Sequence, residues 1–114
     1  MRIVPELSAV LVIDIQEKLF PHIYENDILL RNTEKLLKGL VLLELPVLVT
    51  QQYTKGLGST INTLAELIPG FSFIEKISFS CCGEPAFTGS LQKTGRKFVI
   101  ICGIETHVCV LQTC

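Results

Sequence analysis

Two continuous apolar runs limit what this chain can fold into. Ser8 to Ile13 reads Ser-Ala-Val-Leu-Val-Ile and ends abruptly at Asp14; Phe98 to Cys102 is apolar throughout and stops at Gly103. Neither alternates polar with apolar residues, as a strand with one face in water would. Both have the length and β-branched content of strands buried on both faces, as in the centre of a parallel sheet. Such strands need helices on both sides.

The rest of the chain supplies them. Residues 15–25 read as a loop containing Pro21. Asn26 or Asp27 can cap a helix to about Glu44, whose buried face is expected to carry Leu29, Leu36, Leu40 and Leu43. Pro46 opens a second strand, Val47 to Thr50, and residues 51–58 read as a loop over its carboxyl end. Thr63 to Glu66 has capping-box spacing and starts a short helix closed by Pro69 and Gly70. A third strand is expected from Phe71 to Ile74, leading into Glu75 and Lys76. After a loop at 77–84, Pro85 fits the first turn of a helix to Thr94 with Gly95 as its stop. Thr106 is placed to cap a last helix, which puts Cys109 in its first turn. The pattern is βαβαβαβα, a parallel α/β domain with right-handed crossovers.

Bulk properties exclude several classes. Ten basic against eleven acidic residues leave a formal charge of −1, with no cluster of either sign, so a polyanionic partner is not expected. The longest apolar stretches are about five residues, against roughly 20 for a bilayer span. The first residues show no signal-peptide core. Five cysteines is an odd number, without paired CxxC motifs, which fits free thiols in a reducing, cytoplasmic protein. The chain is 48% hydrophobic and only 18% charged, more apolar than a small free-standing domain requires, so subunit contacts are expected.

Three groups with complementary chemistry follow predicted strands: Asp14, Lys76 and Cys109. In a parallel sheet all carboxyl ends lie along one edge, so residues far apart in sequence converge on one cleft. A helix start and a nearby ammonium both favour a thiolate at Cys109, and a carboxylate can accept the thiol proton and return it. Each also has a plainer role: a loop aspartate, a solvated lysine, a small buried thiol. Phe20, Gln52, Tyr53 and Phe79 fall in loops at the cleft edge and are candidates for lining it. His22 reads as a surface residue and His107 as a packing or interface residue, while Cys81 and Cys82 read as structural thiols.

The chain resembles the isochorismatase-like cysteine hydrolases, which include nicotinamidases and N-carbamoylsarcosine amidases. The carriers are Ala-Val-Leu-Val-Ile-Asp-Ile-Gln at 9–16, Glu-Lys-Ile-Ser-Phe-Ser at 75–80 and Cys-Gly-Ile-Glu-Thr-His-Val-Cys-Val-Leu-Gln-Thr at 102–113. The resemblance implies a three-layer α/β/α Rossmann-like fold. Its parallel sheet would have four strands present in the order 3-2-1-4, with C-terminal strands missing from a single domain spanning 1–114. It implies a catalytic Asp14, Lys76 and Cys109 that hydrolyse a small amide or related compound through a covalent cysteine intermediate. It also implies a cis peptide at Ile104-Glu105 that aims backbone N–H groups at an oxyanion, and assembly into a homo-oligomer.

Nicotinamidases of this family carry an Asp-x-His metal cluster where this chain has Thr50, Gln51, Gln52 and Tyr53. Gln and Tyr are poor ligands for zinc or iron, so neither metal nor cofactor is expected. The stretch from Gln52 to Gly58 resembles instead the branch of isochorismatase domain-containing proteins, some of which are labelled ribonucleases; the neutral charge balance argues against RNA. The competing expectation is a non-catalytic binding or scaffold domain that keeps the fold. A redox switch pairing Cys109 with Cys114 is poorly placed, five residues apart on one helix.

Overall fold

The computed structural model describes residues 2–114. Its frame is a four-stranded parallel sheet: β1 Ser8–Ile13, β2 Val47–Gln52, β3 Ile74–Lys76 and β4 Phe98–Gly103, in the order β3-β2-β1-β4. Helices α1 Asn26–Leu42, α2 Thr54–Leu57, α3 Asn62–Ala65, α4 Pro85–Thr94 and α5 Leu111–Thr113 connect or follow the strands.

The centre of the sheet is β1, and all six of its residues are buried. Successive side chains of a strand point to opposite faces, and β1 therefore feeds two cores. Val10 and Val12 pack with Leu37 and Leu40 of α1 and Leu64 of α3. Leu11 and Ile13 pack on the other face with Phe87 of α4, Cys81 and Cys109. This is the three-layer arrangement expected.

The register sets the site. Ile13 is level with Thr50 of β2 and with Gly103 of β4, so β1 and β4 finish flush while β2 runs two residues further. The ladder of β3 runs on, pairing Gln52 with Lys76. Gly103 is required where β4 stops: a Cβ there would lie 2.8 Å from Val110 Cγ2 and 3.1 Å from the Ile13 carbonyl oxygen.

Several local expectations give way. Helix α1 starts after Glu25, which has a left-handed φ of 51° and no side-chain cap; Asn26 instead donates to the Phe20 carbonyl. Its buried residues are Thr33, Leu37 and Leu40, while Leu36 and Leu43 are exposed. A leucine-rich helix offers two competing stripes. The burial of Thr33 is made cheap by its hydroxyl donating to the Leu29 carbonyl at 2.8 Å. Strand β2 extends to Gln52, because its last two residues pair with β3. β3 itself begins at Ile74 rather than Phe71, since Phe71 packs into the α1–α3 core and Phe73 faces solvent.

α3 begins at Asn62 without a side-chain cap, so the capping box at Thr63 is not formed. The expected α4 is present from Pro85 to Thr94, with Gly95 left-handed at φ 63°. Thr106 opens a single π-helical turn, Thr106–Val110, rather than capping an α-helix, and α5 follows it.

Candidate active site

The carboxyl edge of the sheet brings three distant side chains together. Asp14 is the first residue past β1 and sits at φ 51°, a strained conformation for a non-glycine residue. Such strain persists only where the surroundings hold it. Here the Asp14 N–H donates to the Thr50 carbonyl, and the Thr50 hydroxyl donates to Asp14 Oδ1 at 2.9 Å. Lys76, the last residue of β3, reaches back beneath the edge and places Nζ 3.0 Å from Asp14 Oδ2 and 3.6 Å from Cys109 Sγ. All three side chains are buried, with Asp14 and Lys76 at 1% and Cys109 at 5% exposure.

The ammonium is heavily engaged. Besides Asp14 it lies 2.6 Å from Gln52 Oε1, 2.7 Å from the Ser78 carbonyl and 2.9 Å from the Phe79 carbonyl. An ammonium has three donors, and four oxygens surround this one. Asp14 Oδ2 lies within ion-pair distance of Lys76, yet no donor is aligned on it for a hydrogen bond. One lone-pair position of a buried carboxylate is thereby open beside the thiol.

Cys109 differs from the sequence-based expectation. The thiol is pushed up to about 11 by burial first, then by the neighbouring Asp14 carboxylate; Lys76 opposes this only in part. The π-turn supplies little of the stabilisation a regular helix start would give, and the Lys76 charge is shared among oxygens. Burial thus favours the neutral thiol beside the Asp14 carboxylate.

Two glutamines, which the sequence reading did not assign to the site, hold its rim. Gln16 is fully buried; its amide donates to the Gln52 and Gly58 carbonyls at 2.9 and 2.7 Å and accepts from the Gln52 N–H at 2.7 Å. Gln51 accepts from the Thr60 N–H and hydroxyl and donates to Thr54, tying β2 to the next loop. A buried glutamine must find such partners; their position beside a strand end was the one available signal. Thr113 joins the last turn to the 80s loop, donating to the Cys109 carbonyl at 2.6 Å and accepting from the Cys81 N–H at 3.0 Å.

A cleft of about 280 Å³ opens onto Cys109 between Leu19, Leu57, Phe79 and Val108, with Gln52 and Glu105 at its side. Gln52 and Phe79 therefore line it. Phe20 does not: it packs against the α1 core from a short helical turn. Tyr53 does not either, being 54% exposed and lying over Gly56. The Ile104–Glu105 peptide, expected to be cis, is trans; no described peptide bond is cis. Backbone torsions at Glu105 (φ −109°, ψ 68°) make the turn out of β4, and trans is the ordinary state of a non-proline bond. Among the described residues, no group of three or more His, Cys, Asp or Glu side chains is arranged to hold a metal.

The site is thus a buried carboxylate, ammonium and thiol on the carboxyl edge of a parallel α/β sheet, beneath an apolar cleft. The isochorismatase domain matches residues 8–114, and the chain belongs to that family. A secreted isochorismatase effector of Phytophthora sojae is 35% identical over 119 residues, covering 99% of this chain and 56% of the effector. The solved MAR1 ribonuclease of Caenorhabditis elegans is 39% identical with a TM-score of 0.90, covering 99% of this chain and 58% of that one. YcaC, solved from Pseudomonas aeruginosa and Escherichia coli, gives a TM-score of 0.92 at 26% identity in both, over 98% of this chain and 57% of theirs. The E. coli protein is an octameric hydrolase of unknown specificity, and the P. aeruginosa structure holds hexane-2,5-diol and covalent acrylamide. The chain thus spans a little over half the length of each of these relatives.

Proposed function

We propose that this chain forms the catalytic part of a metal-independent cysteine hydrolase acting on a small amide or related compound, with Asp14, Lys76 and Cys109 as its reacting groups. The observation that carries this reading is the buried contact of Lys76 Nζ with both Asp14 and Cys109 under one cleft. Cys109 Sγ attacks the substrate carbonyl carbon, forming the S–C bond while its proton passes to Asp14. Backbone N–H groups near Ile104, Glu105 and Cys109 receive the oxyanion. Collapse of that intermediate breaks the C–N bond, and the amine leaves with the proton Asp14 holds. Water then attacks the thioester as Asp14 takes a proton from it; the acid leaves and the proton returns to sulfur. Lys76 stabilises each anion as it forms. The family relatives and the acrylamide adduct of the P. aeruginosa YcaC support this chemistry.

The test is turnover of a panel of small amides, compared with Cys109→Ala and Asp14→Asn. Cys109→Ala should abolish hydrolysis. Asp14→Asn, which keeps the shape without the base, should lower it by about a hundredfold or more. Because burial pushes the thiol up to about 11, alkylation of Cys109 by iodoacetamide should rise steadily from pH 7 toward 11. A plateau below pH 8, read from the labelled peptide, would contradict the protonated resting state.

One observation favours a second reading, a binding domain without turnover: the Cys109 thiol is raised rather than lowered. Amide binding that is unchanged in Cys109→Ala, with no product from the native chain, would establish it.

Homo-oligomerisation belongs to the same proposal. Leu42, Ile77 and Leu111 are large, exposed apolar residues, and the E. coli YcaC is an octamer. Sedimentation of the chain at high concentration tests this, a monomer being the contrary result. Five free thiols fit the cytoplasmic placement. Among the described residues no helix is long and apolar enough to cross a membrane.

A further inference from the structure

The charges around the cleft are distributed unevenly. Its walls are the side chains of Leu19, Leu57, Phe79 and Val108, and Glu105 is the one charged group among its described lining residues. The Glu105 side chain is 27% exposed, and the solvent-facing His107 imidazole lies 3.8 Å from it. The Lys76 ammonium is fully buried and turned toward Asp14, Gln52 and two backbone carbonyls. It has no donor left for an incoming carboxylate or phosphate. Gln52 is partly committed, with Oε1 on Lys76 and one Nε2 hydrogen donated to the Ile77 carbonyl.

An anion entering this cleft would lose water to apolar walls and meet the Glu105 carboxylate, with the Lys76 ammonium already engaged. An uncharged amide loses far less. Its apolar part has walls to cover, and its carbonyl can approach the thiol. The volume of about 280 Å³ lies just below the range of about 300–1,000 Å³ typical of ligand pockets.

We propose that the cleft selects small uncharged carbonyl compounds, amides with a short apolar acyl group, and excludes carboxylates and phosphates, with Glu105 setting that preference. The hydrolysis itself rests on the reading above; the charge selectivity does not. Phosphodiesters and dicarboxylates are accordingly outside the substrate class of this chain.

The test uses two alkylating reagents of nearly equal size, iodoacetamide and iodoacetate, on the full chain. Rates at Cys109 are read by mass spectrometry against those at exposed Cys82 in the same sample. The amide-to-acetate ratio at Cys109 should exceed that at Cys82 by about tenfold, and Glu105→Gln should remove most of the excess. Equal or faster labelling by iodoacetate overturns the proposal. A ratio unmoved by Glu105→Gln overturns the assignment to that residue.

Should Cys109 resist both reagents, ligand-detected NMR with benzamide and benzoate decides the matter. Benzamide binding alone supports the proposal; benzoate binding as well, or neither binding, overturns it. Selective binding of benzamide and other small amides that are never hydrolysed would defeat the hydrolase reading and leave the selectivity standing.

Discussion

Strands β1 and β4 lie side by side, each six residues long and almost wholly apolar, yet they live in different surroundings. Leu11 and Ile101 are register partners. Leu11 is buried at 1% exposure, with strands on both sides; Ile101 is only partly buried, on a strand whose other edge has no neighbour. Shallow apolar hollows flank β4, one lined by Phe87, Leu91, Val99 and Ile101, the other by Leu40, Leu43, Leu45 and Ile100. The sequence of β4 is that of a strand covered on every side, and this chain leaves it partly uncovered. The site inherits the asymmetry. Asp14 leaves the rigid centre, whereas Cys109 follows an edge strand through a π-turn.

The comparison can be broken at several points. The largest effect is expected at the rigid half: Lys76→Ala leaves the Asp14 carboxylate buried without its partner and should cost about 3–5 kcal/mol in urea unfolding. A loss below 1 kcal/mol would mean that the ion pair does not hold the edge together. Next, Leu11→Ala should cost about 2–5 kcal/mol, as deletions in a closed core do. Ile101→Ala should cost clearly less, and equal losses for the two partners would show β4 to be covered in solution.

Gly103→Ala sits where the halves meet. Its new Cβ must displace Val110 or the Ile13 backbone. A penalty of about 1–3 kcal/mol is expected, together with altered labelling of Cys109 through the shifted turn. The smallest effect belongs to the open face. Val99 is 38% exposed, and Val99→Thr should change stability by no more than about 0.5 kcal/mol.

Much of this was legible in the residues. The bounds of β1 follow from an apolar run cut by Asp14, and those of α4 from Pro85 and Gly95. The grouping of Asp14, Lys76 and Cys109 follows from the rule that parallel strands share a carboxyl edge. Other features were not legible, for identifiable reasons. Leu36 and Leu37 are neighbours in a leucine-rich helix, and only its docking on Val10 and Val12 chose between them. Gln16 and Gln51 look like ordinary polar residues until the loops they bind fold over them. Phe20 and Tyr53 sit near the cleft in sequence, but packing against the core and over Gly56 turned them away.

By itself, then, the sequence determined that strands would be parallel and that a carboxylate, an ammonium and a thiol would share an edge. Apolar continuity and strand-end placement are local properties, carried by the order of residues. The tertiary structure alone decided the protonation of Cys109, the engagement of Lys76 and the sign of the charge at the cleft. Those depend on burial and on distances between residues as far apart as Asp14 and Cys109. Electrostatic energies are set by separation and by the surrounding medium, and neither exists until the chain has packed.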